Sequence, residues 1–179
     1  MINPHSLKLV PTNNKARSLV AILLGLTAIA LVFYSRMEHY QGLVGLLAVV
    51  FICAAVFVYT KYVSPIYYYD LTDDSDGVWV FVARQVVGKR ATTLCRISLH
   101  EIISVTRESA EERKAHKTPH GTRTYSYLPT LAPSVTWRIT TVSPHERAEI
   151  VIEAPDEYIV FLQKYISDAK ALFGEQSDE

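Results

Sequence analysis

The chain has 179 residues, 49% of them hydrophobic, and its 18 basic and 18 acidic side chains leave no formal net charge. Two cysteines are too few for a disulfide framework, and the length allows about one ordinary domain besides an anchor. Residues 1–63 carry Lys8, Lys15, Arg17, Arg36 and Lys61 against Glu38 alone, so the rest of the chain is acidic, which argues against a nucleic-acid partner.

Residues 1–14 read as an N-terminal tail. From Ser18 to Ser35 there are 18 residues without Asp, Glu, Lys or Arg, and from His39 to Thr60 there are 22. As helices these stretches measure roughly 27 and 33 Å, close to the ~30 Å hydrocarbon core of a bilayer. A two-helix transmembrane hairpin is therefore expected over residues 15–63. A cleaved leader fits less well, because 17 residues precede the first run and a second run follows almost at once. Lys8, Lys15 and Arg17 before the first span and Lys61 after the second put both chain ends in the cytoplasm by the positive-inside rule. Tyr34, Tyr40, Tyr59 and Tyr62 fall at the span ends, where amphipathic rings prefer the headgroup region. Neither span has an ionisable group at its centre, which argues against a proton relay or ion path. Ala21, Gly25 and Ala28, and then Gly42, Gly45 and Ala48, make small-residue stripes suited to close packing, within the hairpin or against a second copy.

After Ser64-Pro65 the pattern changes to short β-type runs between turns. Strands are expected over Ile66 to Leu71, Val78 to Val87, Thr92 to Ile97, Ile102 to Thr106, near Arg123 to Leu128, over Val135 to Val142, and from Ala148 to Ile152. Asp73-Asp74-Ser75-Asp76-Gly77, Gly88-Lys89-Arg90 and Ser143-Pro144-His145-Glu146 read as turns. Val135, Trp137 and Ile139 alternate with Thr136, Arg138 and Thr140, the mark of a half-buried antiparallel strand. By the same rule Ala148, Ile150 and Ile152 face inward, and Arg147, Glu149 and Glu153 outward. Residues 107–121 read as a charged, solvated loop. Tyr158, Phe161, Leu162, Tyr165, Ile166, Ala169 and Leu172 recur at three- and four-residue spacing, so an amphipathic helix follows Pro155 and ends near Gly174, with 175–179 as a tail.

A helical hairpin followed by seven strands and a closing helix resembles the small bacterial membrane proteins that carry a pleckstrin-homology-like (PH-like) domain. The resemblance rests on that order, on Phe81-Val82-Ala83-Arg84 leading to Gly88-Lys89-Arg90, and on Arg96-Ile97-Ser98-Leu99-His100-Glu101-Ile102. It implies a membrane hairpin plus a PH-like split barrel over residues 64–174, with seven antiparallel strands capped by the C-terminal helix. It also implies residence in a bacterial inner membrane. Fold alone does not carry function.

The family's lipid-binding versions place basic residues on the first two strands and the loop between them. Here that loop is Asp73-Asp74-Ser75-Asp76, which repels phosphate. The same carboxylates lack the distal Glu of an EF-hand, so no metal is expected. The next turn, Lys89-Arg90, lies on the side from which the first strand leaves the membrane, and with Lys61 it is the candidate contact for anionic headgroups. Arg107, Arg113, Lys114 and Lys117 make the 107–121 segment a candidate partner loop. The six histidines lie in tails, turns or the charged loop, and Ser98, His100 and Glu101 do not share a strand face. No catalytic residue, cofactor or Gly-rich phosphate cradle is expected. Cys53 and Cys95 read as small buried hydrophobes. The tyrosines 67–69, 125 and 127 suit core packing, interface anchoring or a peptide-binding edge. The expected function is a non-enzymatic, membrane-anchored interaction or scaffold module, working on the bilayer and on a second copy or a membrane-protein partner. An anionic-lipid-contacting module, or an accessory subunit of a transporter or secretion complex, is the alternative.

Overall fold

The computed structural model describes residues 5–10, 14–36, 38–74, 78–143 and 146–176. The chain divides into two compact units, Pro11–Pro65 and the pair of segments Met1–Val10 with Ile66–Glu179.

In the first unit, α1 (Asn14–Tyr34) and α2 (Gln41–Tyr62) pack side by side, joined through a short 3-10 turn at Glu38–Tyr40. Both helices are long and apolar enough to cross a membrane. The seam between them buries Ala16 and Thr27 of α1 and Ala48, Ala55 and Val58 of α2. Gly45 also lies on it, and a Cβ there would stand 3.4 Å from the Tyr34 ring. The sequence offered two homes for the α1 stripe, within the hairpin or against a second copy, and α2 does not cover it: Ala21, Gly25 and Ala28 are exposed, and a Cβ on Gly25 would meet nothing. Gly42 likewise points away from the seam. Cys53, expected to be buried, is exposed on α2. The hydroxyls of Thr27 and Thr60 donate to the carbonyls of Leu23 and Val56 at 2.9 and 2.8 Å, so neither polar group is left unmet on an apolar helix. Lys61 folds back over the rings of Phe57 and Tyr62, at 5.6 and 5.4 Å.

The second unit holds eight strands among the described residues, one more than expected. The additional strand is β1 (Ser6–Leu9), inside the segment taken for a tail. It pairs antiparallel with β2 (Ile66–Asp73), which continues to β3 (Trp79–Val87) and β4 (Arg90–Ser98) in one four-stranded sheet, A. A 3-10 turn, Leu99–Glu101, leads to β5 (Ile102–Ser109). Sheet B runs β5, β7 (Val135–Ser143), β8 (Glu146–Ile152), β6 (Thr122–Tyr127). The pairing is not antiparallel throughout: β6 lies parallel to β8. The expected turns at Asp73–Gly77 and Ser143–Glu146 fall partly on residues 75–77 and 144–145, outside the described residues.

The inner faces of both sheets and α4 (Asp156–Gln176) enclose one core, with Tyr69, Phe81, Leu99, Ile102, Ile139, Ile152, Tyr158, Ile159 and Leu162 almost wholly buried. Two tyrosine hydroxyls thread it. Tyr158 donates to the Tyr69 carbonyl at 3.1 Å, and Tyr69 donates to the Tyr127 carbonyl at 2.7 Å, linking α4, β2 and β6. Burial pushes both phenols above their ordinary pKa range. The helix differs in detail from its periodic reading: Ile159 is buried while Phe161 and Leu172 are exposed, and α4 runs past Gly174 to Gln176.

Candidate functional site

The registers of sheet A gather three features at one end. Leu9 pairs with Tyr67 where β1 leads toward α1, Ile66 pairs with Val86 where the chain returns from α2, and Val87 pairs with Arg90 across the β3–β4 turn. Gly88 opens that two-residue turn at φ 61°, where a side chain would be strained, which is the pattern of a type II′ hairpin. This end of the sheet is exposed and mixes apolar with cationic groups: at the turn Val87 is 42% exposed and Lys89 and Arg90 are open, and past the end of β1, on the other side of β2, Val10 is 53% exposed. Lys8 stands over the Tyr68 ring at 6.0 Å. The opposite end carries Asp73, Asp74 and a ring cluster of His5, Trp79 and Tyr165, with the last two 4.9 Å apart.

On the outer face of sheet A, Asp70 is buried beneath its partners. It accepts from Ser6 Oγ at 2.5 Å and Arg84 Nε at 2.7 Å. Arg96 pairs with Asp74 at 2.6 Å.

Sheet B carries a cluster that alternation alone places in solvent. Arg138 donates to both oxygens of Glu108, at 2.5 and 2.9 Å, and to Glu149 at 2.5 Å, and all three residues are buried. Burial opposes the charge on Arg138, but the hydrogen bonds and attraction of Glu108 and Glu149 outweigh it and hold the guanidinium above its ordinary pKa. The cover comes from the segment read as a solvated loop. It begins as the end of β5 and continues as a helical turn, α3 (Ala110–Ala115), started by a capping box: Glu112 N donates to Ser109 Oγ and Ser109 N donates to Glu112 Oε2. Arg113 anchors α3 to Thr136 Oγ1 and the Pro133 carbonyl, and His116 Nε2 lies 3.0 Å from Glu149 Oε2. Glu149 and Arg138 thus face neither solvent nor the apolar core but a second, polar layer under this strap.

Between the free edges of β4 and β6 the two sheets leave a groove of about 450 Å³, lined by Cys95, Ile97, Glu101, Tyr125, Tyr127 and Ile150 among others. Tyr127 bridges it, donating to the Leu94 carbonyl at 3.1 Å; burial and the neighbouring Cys95 and Tyr125 push its phenol up to about 12. Burial also pushes the Cys95 thiol up to about 11, so it is a poor nucleophile at neutral pH.

The candidate headgroup residues Lys89 and Arg90 sit together at the sheet end, whereas Lys61 belongs to the hairpin unit. The candidate partner-loop residues do not form one patch. Arg107 faces Asp156 at 3.7 Å, Arg113 is tied into the strap, and Lys114 and Lys117 point to solvent. Ser98 ends β4 while His100 and Glu101 lie in the 3-10 turn, so strand alternation does not relate them. Among the described residues no three His, Cys, Asp or Glu side chains are placed to hold a metal ion. The buried Glu108–Arg138–Glu149 cluster was not foreseen from the sequence; its only signal was two charged residues, Arg138 and Glu149, on β-type runs, with Glu108 inside the charged 107–121 segment. No protein-family model, curated protein or solved structure matches the chain.

Proposed function

We propose that this chain is a non-enzymatic interaction module anchored in a membrane, its α1–α2 hairpin spanning the bilayer and its β unit presented at the cytoplasmic face. The observation that carries this reading is the pairing of β1 with β2. These strands flank the hairpin in sequence, so a segment whose two ends meet in one sheet crosses a membrane an even number of times. Two apolar helices of 21 and 22 residues suit two crossings. Lys15 and Arg17 at one end and Lys61 at the other favour the cytoplasm for the β unit. The PH-like reading rests on the order β2–β8 then α4, and has to accommodate β1 and the parallel β6–β8 pair. The buried carboxylates are engaged in ion pairs rather than left to work on a substrate, which fits a module that binds rather than reacts.

Self-assembly is the favoured mode of action, because Ala21, Gly25 and Ala28 form a small-residue face on α1 that α2 leaves uncovered. Gly25→Leu is a clean probe, since the added side chain meets nothing within the protomer. Cross-linking of the full chain in membranes is expected to give a dimer or larger species that Gly25→Leu reduces several-fold. A wild-type chain that stays monomeric at all densities, without a co-purifying membrane protein, contradicts the scaffold reading.

A further inference from the structure

Sheet A is electrically polarised along its strands. Asp73 and Asp74 lie at the end where β2 meets Trp79, and Lys89 and Arg90 lie beyond Val87, at the other end of β3. A nine-residue strand separates the two ends by roughly 26 Å. The cationic end is also the end from which the chain departs toward α1 and to which it returns from α2. Arg84, Arg96, Arg107 and Arg138 each face a carboxylate, whereas no ion pair among the described residues engages Lys89 or Arg90. Val87 stands exposed beside these two cations, and Val10 is exposed at the same end of the sheet, past β1.

We infer that the β3–β4 turn is a third foot of the domain, resting on the anionic headgroups of the leaflet the hairpin enters. Val87 and Val10 meet the acyl boundary, while Lys89 and Arg90 meet lipid phosphates. The inference rests on the proposal that α1 and α2 span the membrane. Three features mark the bilayer, rather than a protein, as the occupant. The turn lies at the end of sheet A where β1 ends and β2 begins, its uncompensated charge is the sign that anionic lipid attracts, and exposed Val87 flanks it directly. The two covalent joints lie side by side, at the end of β1 and the start of β2; a contact at the β3–β4 turn, farther along the same end of the sheet, widens the base on which the sheet stands. The β2–β3 end, with its carboxylates, is then held away from the surface.

The test uses the full chain with Cys53 and Cys95 replaced by alanine, reconstituted into phosphatidylcholine vesicles with or without about a third phosphatidylglycerol. An environment-sensitive fluorophore is placed at Val87→Cys or, as the far-end reference, at the exposed Thr72→Cys, and quenched by lipids spin-labelled at the headgroup. Quenching is expected at position 87 but not at 72, stronger in anionic vesicles and weakened by high salt. Lys89→Glu with Arg90→Glu is expected to lower the docked-to-undocked ratio by about 30-fold or more, since each basic residue near an anionic surface contributes about fivefold. Equal quenching at 87 and 72, or an unchanged signal in the charge-reversed protein, overturns the inference. Carbonate extraction of the same vesicles separates the two ideas: a chain retained in the bilayer but unquenched at 87 sinks only the foot, and a chain released from the bilayer sinks the spanning reading with it.

Discussion

Arg138→Ala is expected to destabilise the β unit by about 3–5 kcal/mol, a large share of the roughly 5–15 kcal/mol that holds an ordinary domain together. Arg138 sits between Glu108 and Glu149, and all three residues are at least nine-tenths buried. Removing the guanidinium leaves two carboxylates facing each other without their shared counter-ion, and neither can turn to water without lifting the α3 strap. The cost is the uncompensated charge rather than the worth of the pair itself. Replacing Glu108, Arg138 and Glu149 together by apolar residues of similar size is therefore expected to recover most of the loss. Urea unfolding followed by the fluorescence of Trp79 and Trp137 reads both effects. A midpoint for Arg138→Ala within experimental error of the wild type contradicts the buried cluster.

The second large effect is expected at the N-terminal strand. Leu7 is 7% exposed and belongs to the domain core, although the whole hairpin unit, Pro11–Pro65, lies between it and its partner Tyr69 in sequence. Leu7→Asp places a carboxylate among apolar side chains and is expected to cost more than about 3 kcal/mol, whereas Leu7→Ala costs about 2–3 kcal/mol through lost apolar burial and the cavity left behind. Ser6→Ala, which removes one hydrogen bond to Asp70 while Arg84 keeps its own, is expected to cost about 1 kcal/mol. The graded order Leu7→Asp, Leu7→Ala, Ser6→Ala in urea midpoint marks β1 as part of the fold. Indifference to all three marks it as a tail.

The hairpin and the strands after it were legible because length and period suffice for them. Uncharged runs of 18 and 22 residues read as long apolar helices, and Val135 to Val142 alternates over a whole strand. The strand β1 was not legible for two physical reasons. Four residues, Ser6-Leu7-Lys8-Leu9, give only two alternations, and the partner strand is remote in sequence, so nothing local marks the pairing. The parallel placement of β6 against β8 is equally non-local. The buried cluster escaped because alternation assigns charged residues to solvent. That rule holds when one face of a sheet is wet, and here α3 and the segment after it cover the outer face of sheet B. The strap itself read as a solvated loop because six helical residues carry too little pattern, although Ser109 and Glu112 stand at capping-box spacing. For the headgroup candidates the sequence placed Lys89 and Arg90 near the membrane from β2 alone; β1 adds a second, independent joint at the same end of the sheet.

The most direct measurement is the sidedness of three positions in the intact membrane. Single cysteines at Lys8, Arg36 and Thr72, in a chain lacking Cys53 and Cys95, are challenged with a membrane-impermeant maleimide on sealed vesicles of each orientation. Positions 8 and 72 flank the hairpin and lie in strands that pair with each other, while Arg36 lies in the link between α1 and α2. Positions 8 and 72 are predicted to react from one side and position 36 only from the other. Reaction of 8 and 72 from opposite sides, or of all three from the same side, contradicts a hairpin that crosses the bilayer twice and returns to its own sheet.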